Sequence, residues 1–277
     1  MPLENPLSKV KVKRLSEMKH LGKADLHIHS NCSDARPSIE EVLEYVQNKT
    51  DLDVIAITDH DTVKGAIKAA ELVKNGNYRF EVIVGEEITA KEGHILGLFL
   101  TEKIKPNQSA HETIKQIHDQ GGIAVASHPF QHSRLRNPNM AIMDGVGAIT
   151  LFQEKNTLDG VEIVNGTPTL QNENLKASFL NKTTLFLAEV GASDAHIVEA
   201  IGMGYTLFEG KSAADLKREL LERQTQAMHK RWRLSGLFKY LFFFIPKGLR
   251  MGFYTLIKGR RAKKIDLIGP LPKNFHH

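Results

Sequence analysis

Ala24-Asp25-Leu26-His27-Ile28-His29 is a short apolar run that closes on two histidines one residue apart. Read as a strand, it sends alternate side chains to one face, so His27 and His29 project together. Two imidazoles on one face, at the carboxyl end of a strand, can grip a single metal ion. The pair says little alone. Its meaning depends on what stands at the ends of the strands that follow.

From about Lys23 to Arg223, β-branched runs alternate with helical patterns. Strands are expected over residues 24–28, 54–58, 80–84, 95–100, 123–126, 161–164 and 184–188. Helices are expected over 38–48, 63–74, 111–120, 170–181 and 215–222, the first opened by a Ser38/Glu41 capping box. Such alternation argues for a parallel sheet, open or closed into a barrel. In those folds the loops beyond the carboxyl ends of the strands build the active site.

Those loops hold His27, His29 and Asp34 after the first strand, and Asp59, His60 and Asp61 after the second. Glu86 and Glu87 follow the third, His94 opens the fourth, His128 follows the fifth, and Asp194 and His196 follow the last. Scattered surface histidines would not choose the same end of successive strands. Imidazole nitrogen and carboxylate oxygen suit Zn, Mn or Fe(II), and a single cysteine in the chain excludes a thiolate cluster. The set exceeds what one ion needs. It matches two or three divalent ions sharing a bridging carboxylate, an arrangement suited to hydrolysis.

The ordered motifs Leu26-His27-Ile28-His29-Ser30 with Ser33-Asp34, Ile57-Thr58-Asp59-His60-Asp61-Thr62, Gly85-Glu86-Glu87-Ile88, His128-Pro129 and Ser193-Asp194-Ala195-His196 closely resemble those of the PHP family. That family is named for polymerase and histidinol phosphatase domains. The resemblance runs from about Lys23 to Tyr205 and implies a distorted (β/α)7 barrel with a trinuclear metal site. By the resemblance, His27, His29, Glu87 and Asp194 hold the first ion, and Glu87 bridges to a second held by His94 and His128. Asp34, His60 and His196 hold the third. The family pattern of Gly, any residue, Glu, Ile selects Glu87 over Glu86, and strand alternation lets only one of the two point inward. His60, Glu87 and His196 are the catalytic candidates. Asp59 is either a proton donor or, as Asp61 is, a residue that orients His60 or caps the next helix. The implied reaction is hydrolysis of a phosphoester by a metal-bound hydroxide, without a covalent intermediate.

The chain departs from the family in two places. Between His94 and His128 there is room for one helix and one strand, so no substrate-capping domain fits. Phe130 replaces the usual small residue after His-Pro, and arginines come only at Arg134 and Arg136, either of which could clamp a substrate phosphate. The reaction class therefore transfers better than the substrate. A phosphomonoester or nucleotide-type substrate is expected, with exonuclease-type cleavage of RNA or DNA ends as the rival reading. A non-catalytic metal-binding scaffold anchored by its tail is the alternative of another class.

Composition divides the chain. The 277 residues are 41% apolar and 25% charged, ordinary for a globular protein. Between His229 and Lys264 lie eleven Lys/Arg and no Asp/Glu, so taking 11 from the formal net charge of +5 leaves −6 for the rest. Basic residues there interleave with Trp232, Phe238 and the run Tyr240-Leu241-Phe242-Phe243-Phe244-Ile245. Such a segment suits an anionic membrane surface or a nucleic acid, or packs on the protein itself. The expected domains are an extension over 1–22, the barrel over 23–228 and a basic amphipathic segment over 229–277. The first twenty residues lack an apolar core, so no signal peptide is expected, and the lone cysteine fits a reducing, cytoplasmic setting, peripheral at a membrane if the tail binds one.

Overall fold

A computed structural model of the chain describes residues 21–131, 145–232 and 234–243. The opening apolar run becomes β1 (Leu21–Ile28), and the capping box at Ser38 and Glu41 starts α1 (Ile39–Lys49). Then come β2 (Val54–Ile57), α2 (Lys64–Asn75), β3 (Glu81–Thr89), β4 (His94–Leu98), α3 (Ala110–Asp119) and β5 (Ile123–Ala126). The chain continues through α4 (Gly147–Gln153), β6 (Gly160–Asn165), α5 (Gln171–Leu180), β7 (Ala188–Ala192), β8 (Gly204–Glu209), α6 (Ala213–Leu221) and β9 (Gln226–His229). The strands form one sheet in the order β7-β6-β5-β4-β3-β2-β1-β8-β9.

The sheet is mixed, which corrects the expectation of a parallel one. β1–β2, β2–β3, β5–β6 and β6–β7 are parallel, whereas β4 runs antiparallel to both β3 and β5. The reason is length. Only Ala90 to Gly93 join β3 to β4, and so short a link can build a hairpin but not a crossover. β8 pairs antiparallel with β1 and β9.

The sheet curls until its ends meet. His29 N–H donates to the Ala195 carbonyl at 3.0 Å and Ala195 N–H to the His27 carbonyl at 3.3 Å, joining the loop after β7 to β1. Gly191 N–H donates to Thr206 Oγ1 at 3.0 Å, joining β7 to β8. The result is a nearly closed α/β barrel. Alternate residues of β1, β2, β5 and β7 (Ala24, Leu26, Val54, Ala56, Ile123, Val125, Ala188, Val190) pack with Phe208 and with Leu216 and Leu220 of α6. The opposite residues of β5, Ala124 and Ala126, pack under Ile114 and Ile117 of α3. This is the period-two division a strand imposes.

The expected strand over 184–188 lies elsewhere. Asn181–Leu185 is a π-helical turn, and the strand begins at Ala188. Asn181 holds the turn closed, its Oδ1 accepting from Leu187 N–H and its Nδ2 donating to the Leu187 carbonyl. The chain divides into two compact units between Tyr240 and Leu241. Up to Tyr240 it stays on the barrel: β9 pairs with β8, and the Trp232 indole donates to the Gly166 carbonyl at 2.8 Å. At the other end, Leu21 and Gly22 already pair with β8, so they belong to the barrel and not to an extension. Among the described residues no helix is long and apolar enough to cross a membrane.

Candidate metal centre

Strand ends bring the nine predicted ligands to one mouth of the barrel. Glu87, in the last turn of the pleat of β3, is their hub. Its Oε1 lies 2.9 Å from His128 Nε2 and 3.1 Å from His94 Nδ1, and accepts from Ser127 Oγ at 2.9 Å. Its Oε2 lies 3.3 Å from both His27 Nε2 and His29 Nε2, and 3.2 Å from His60 Nδ1. Asp194 Oδ1 stands 3.6 Å from His27 Nε2 and 3.3 Å from His29 Nε2. Asp34 Oδ1 stands 3.1 Å from His196 Nε2. His27 and Glu87 are sealed from solvent, while the Asp34 side chain is 30% exposed, so the cluster opens to solvent at the Asp34 edge.

The backbone is shaped to this end. β1 breaks register against β2 between Asp25 and Ile28, where a bulge re-aims the side chains that follow. His128 and Asp194 have φ of 24° and 52°, left-handed values that cost non-glycine residues on the order of 1–3 kcal/mol each.

Four overlapping groups emerge, each with potential ligand atoms within 4.8 Å of one another: His29, Asp34, His60 and His196; His27, Glu87 and His128; His27, His29 and Asp194; and His60, Glu87 and His94. The donor chemistry fits divalent cations. His27 Nε2 and His29 Nε2 face each other at 3.0 Å, an approach that a shared proton or a shared cation can reconcile. Neither ring nitrogen of His94 makes a hydrogen bond, nor does Nδ1 of His29 or His128, although these atoms are buried. Buried imidazole nitrogens left without a hydrogen bond are costly in a sealed site, and a cation satisfies them.

The charges tell the same story. Burial pushes the His29 imidazole down, but Asp194 and Glu87 outweigh it and raise it to about 9. Burial likewise opposes protonation of His27, yet Glu87, Asp194 and Glu162 hold it well above the usual range. Burial works against the charged form of Glu87 too, and His60, His27 and His94 still keep it well below the carboxylate range.

Glu86 shows what strand alternation does. It is buried on the opposite side of β3, where its Oε2 accepts from Ile104 N–H at 2.8 Å and its Oε1 has no partner. Burial pushes its carboxyl up to about 7 from 4.5. A folded-state value above the unfolded one favours folding at low pH, and that contribution is lost as pH rises through about 7. Glu86→Gln is therefore expected to raise stability by about 2 kcal/mol more at about pH 8 than at about pH 5, read from thermal melts at both.

Three further carboxylates brace the centre. Glu162, absent from the sequence-based set, is buried in β6 with Oε1 3.1 Å from His27 Nδ1. Its Oε2 accepts from His128 N–H at 2.6 Å and from Asn165 Nδ2 at 3.1 Å, and the same amide nitrogen donates to Asp194 Oδ2 at 3.2 Å. One carboxylate thus orients His27 and the backbone of His128. Glu162→Gln is expected to weaken cation affinity about 10–100-fold with little change in the fold, as measured by titration of the metal-free protein. Asp59 departs from both sequence readings: its oxygens accept from Ser30 N–H at 2.7 Å, Ser30 Oγ at 2.6 Å and Ser33 Oγ at 2.7 Å. It fastens the loop between His29 and Asp34, and does not cap α2, whose first turn has no side-chain cap. Asp61 accepts from Thr89 N–H at 2.8 Å, pinning the end of β3. Arg134 and Arg136 lie outside the described residues.

Comparison with known proteins follows from this geometry. Residues 173–225 match the family model described as PHP-associated. An uncharacterized protein of Methanocaldococcus jannaschii is 42% identical over 119 residues, which are 39% of this chain and 68% of that protein. A phosphoribosyl 1,2-cyclic phosphate 1,2-diphosphodiesterase of Eggerthella lenta is 36% identical over 84 residues, 28% of this chain and 31% of that enzyme. Among solved structures, a two-domain protein of Bacteroides vulgatus containing a predicted PHP-like metal-dependent phosphoesterase superposes with a TM-score of 0.58 at 19% identity, over 79% of this chain and 70% of that one.

Proposed function

We propose that the chain, a member of the PHP family, is a metal-dependent phosphoesterase that hydrolyses a phosphoester with two or three divalent cations (Mn, Zn or Fe) held at the mouth of the barrel. The observation that carries the reading is the convergence on Glu87 of five imidazoles from four separate strand ends. In this reading His27, His29, Asp194 and Glu87 hold one cation. Glu87, His94 and His128 hold a second, and Asp34, His60 and His196, with His29 close by, hold a third. When bound, such cations supply Lewis acidity toward phosphate oxygens and acidify water.

The remaining work falls to the chain's own side chains. Glu87 fixes the spacing of the cluster. Asp34 stands at the exposed edge, the side from which a substrate phosphate would enter, and His196 beside it would help to hold the third cation there. Asp59, with three donors on its oxygens, positions the Asp34 loop in this reading. A phosphomonoester of a small molecule is the first substrate class. The name of the Eggerthella lenta relative favours a phosphodiester as the second reading. Protein loaded with Mn or Zn is to be assayed on sugar phosphates, nucleotides, cyclic phosphates and oligonucleotides, alongside elemental analysis. Turnover of none of them by a metal-replete protein would leave only the scaffold reading, and absence of bound metal would remove both.

A further inference from the structure

The helix over residues 234–243 has two apolar faces, and the barrel uses only one. Its inner face is seated: Tyr240 is 7% exposed and meets the Trp232 ring edge-on at 5.3 Å, while Lys239 pairs with Glu199. Its outer face carries Leu234 and Phe238, 74% and 70% exposed, one helical turn apart. The same spacing reaches Leu241 and Phe242, which are also exposed. A stripe of this kind on an already seated helix adds nothing to folding and loses apolar contact with water only if something else covers it.

We propose that this outer face docks the protein on an anionic membrane surface. The eleven Lys/Arg between His229 and Lys264, without one acidic residue, set the sign of the partner. A second copy of the chain would bring two such segments together and repel. A nucleic acid would want rings to stack on, and half of this stripe is leucine. A lipid interface accepts leucine and phenylalanine equally, and takes them in the helical spacing seen here, with the charges left at the headgroups. Trp232 fastens the segment to Gly166, beside Asn165 and the metal centre, so docking would hold the barrel mouth close to the lipid.

The proposal is independent of the hydrolytic reading, and so is its test. The intact chain is floated with phosphatidylcholine vesicles and with vesicles that also contain phosphatidylserine, at low and high salt. The L234E/F238E double variant is run beside it, with circular dichroism and a thermal melt to show that it folds. Binding to the phosphatidylserine vesicles alone, weakened by salt and reduced about tenfold or more in the folded double variant, is the expected result. No flotation, or equal flotation of wild type and folded variant, would overturn it. So would a concentration-dependent dimer, or retention of single-stranded RNA, that the double variant abolishes while vesicle binding persists. If the double variant does not fold, F238S alone is read by the same criteria.

Discussion

Glu87→Gln should reduce metal-dependent turnover by about a thousandfold or more while the protein still folds. The substitution is nearly isosteric, but it replaces a carboxylate that touches five imidazoles with an amide that cannot share charge between two cations. The amide would also turn a donor toward buried ring nitrogens. Metal content should fall along with activity, since the two outer groups lose the bridge that spaces them. Glu86→Gln is the control: that side chain is one residue away, equally buried, and turned from the cluster toward Ile104. It should retain full turnover. Equal activity in both variants would mean that the hub has been misassigned. In the metal-free protein Glu87 also contributes stability, because its carboxyl is held below the unfolded value of 4.5. That contribution is present above the unfolded value and fades as pH falls through the folded one, so the Gln variant should lose it at neutral pH.

Strand alternation lets only one of Glu86 and Glu87 face the histidines, and it was the family pattern of Gly, any residue, Glu, Ile that chose Glu87. Candidate ligands such as His27, His29 and His60 were legible because they stand beside apolar runs whose ends are easy to see, whereas Asp194 and His196 were picked out by the family motif, the strand before them having been misplaced. What escaped depended on contacts distant in sequence. The stretch from Thr184 looked like a strand by propensity, but Asn181 closes a turn over it, and Ala188–Ala192 makes the strand instead. Within it Gly191 carries no side chain because a Cβ there would meet the Tyr205 carbonyl oxygen at 2.4 Å. No local pattern reveals such crowding. Glu162 escaped because a single carboxylate in a strand has no motif, although a charged residue inside the run Val161-Glu162-Ile163-Val164 was itself a signal that something buried must pair with it.

Asp25 should prove the costliest position outside the cluster. It is fully buried in β1, its carboxyl pushed up to about 6 by that burial, and it joins the two ends of the sheet. Its Oδ1 accepts from Ser193 N–H at 2.9 Å and from His27 N–H at 3.4 Å, and its Oδ2 from Gly202 N–H at 2.8 Å. Asp25→Ala leaves three backbone donors facing a cavity too apolar to satisfy them, for a loss of about 4 kcal/mol, or roughly 10 °C in Tm. Asp25→Asn keeps one acceptor and should lose about half as much. The effect does not stop at stability. One end of this joint carries His27 and His29, and the other carries Asp194 and His196, so loosening it separates groups that a cation must hold together. The Ala variant should therefore bind metal more weakly even at temperatures where it remains folded, whereas a purely structural role for Asp25 would lower Tm and leave metal affinity of the folded protein unchanged.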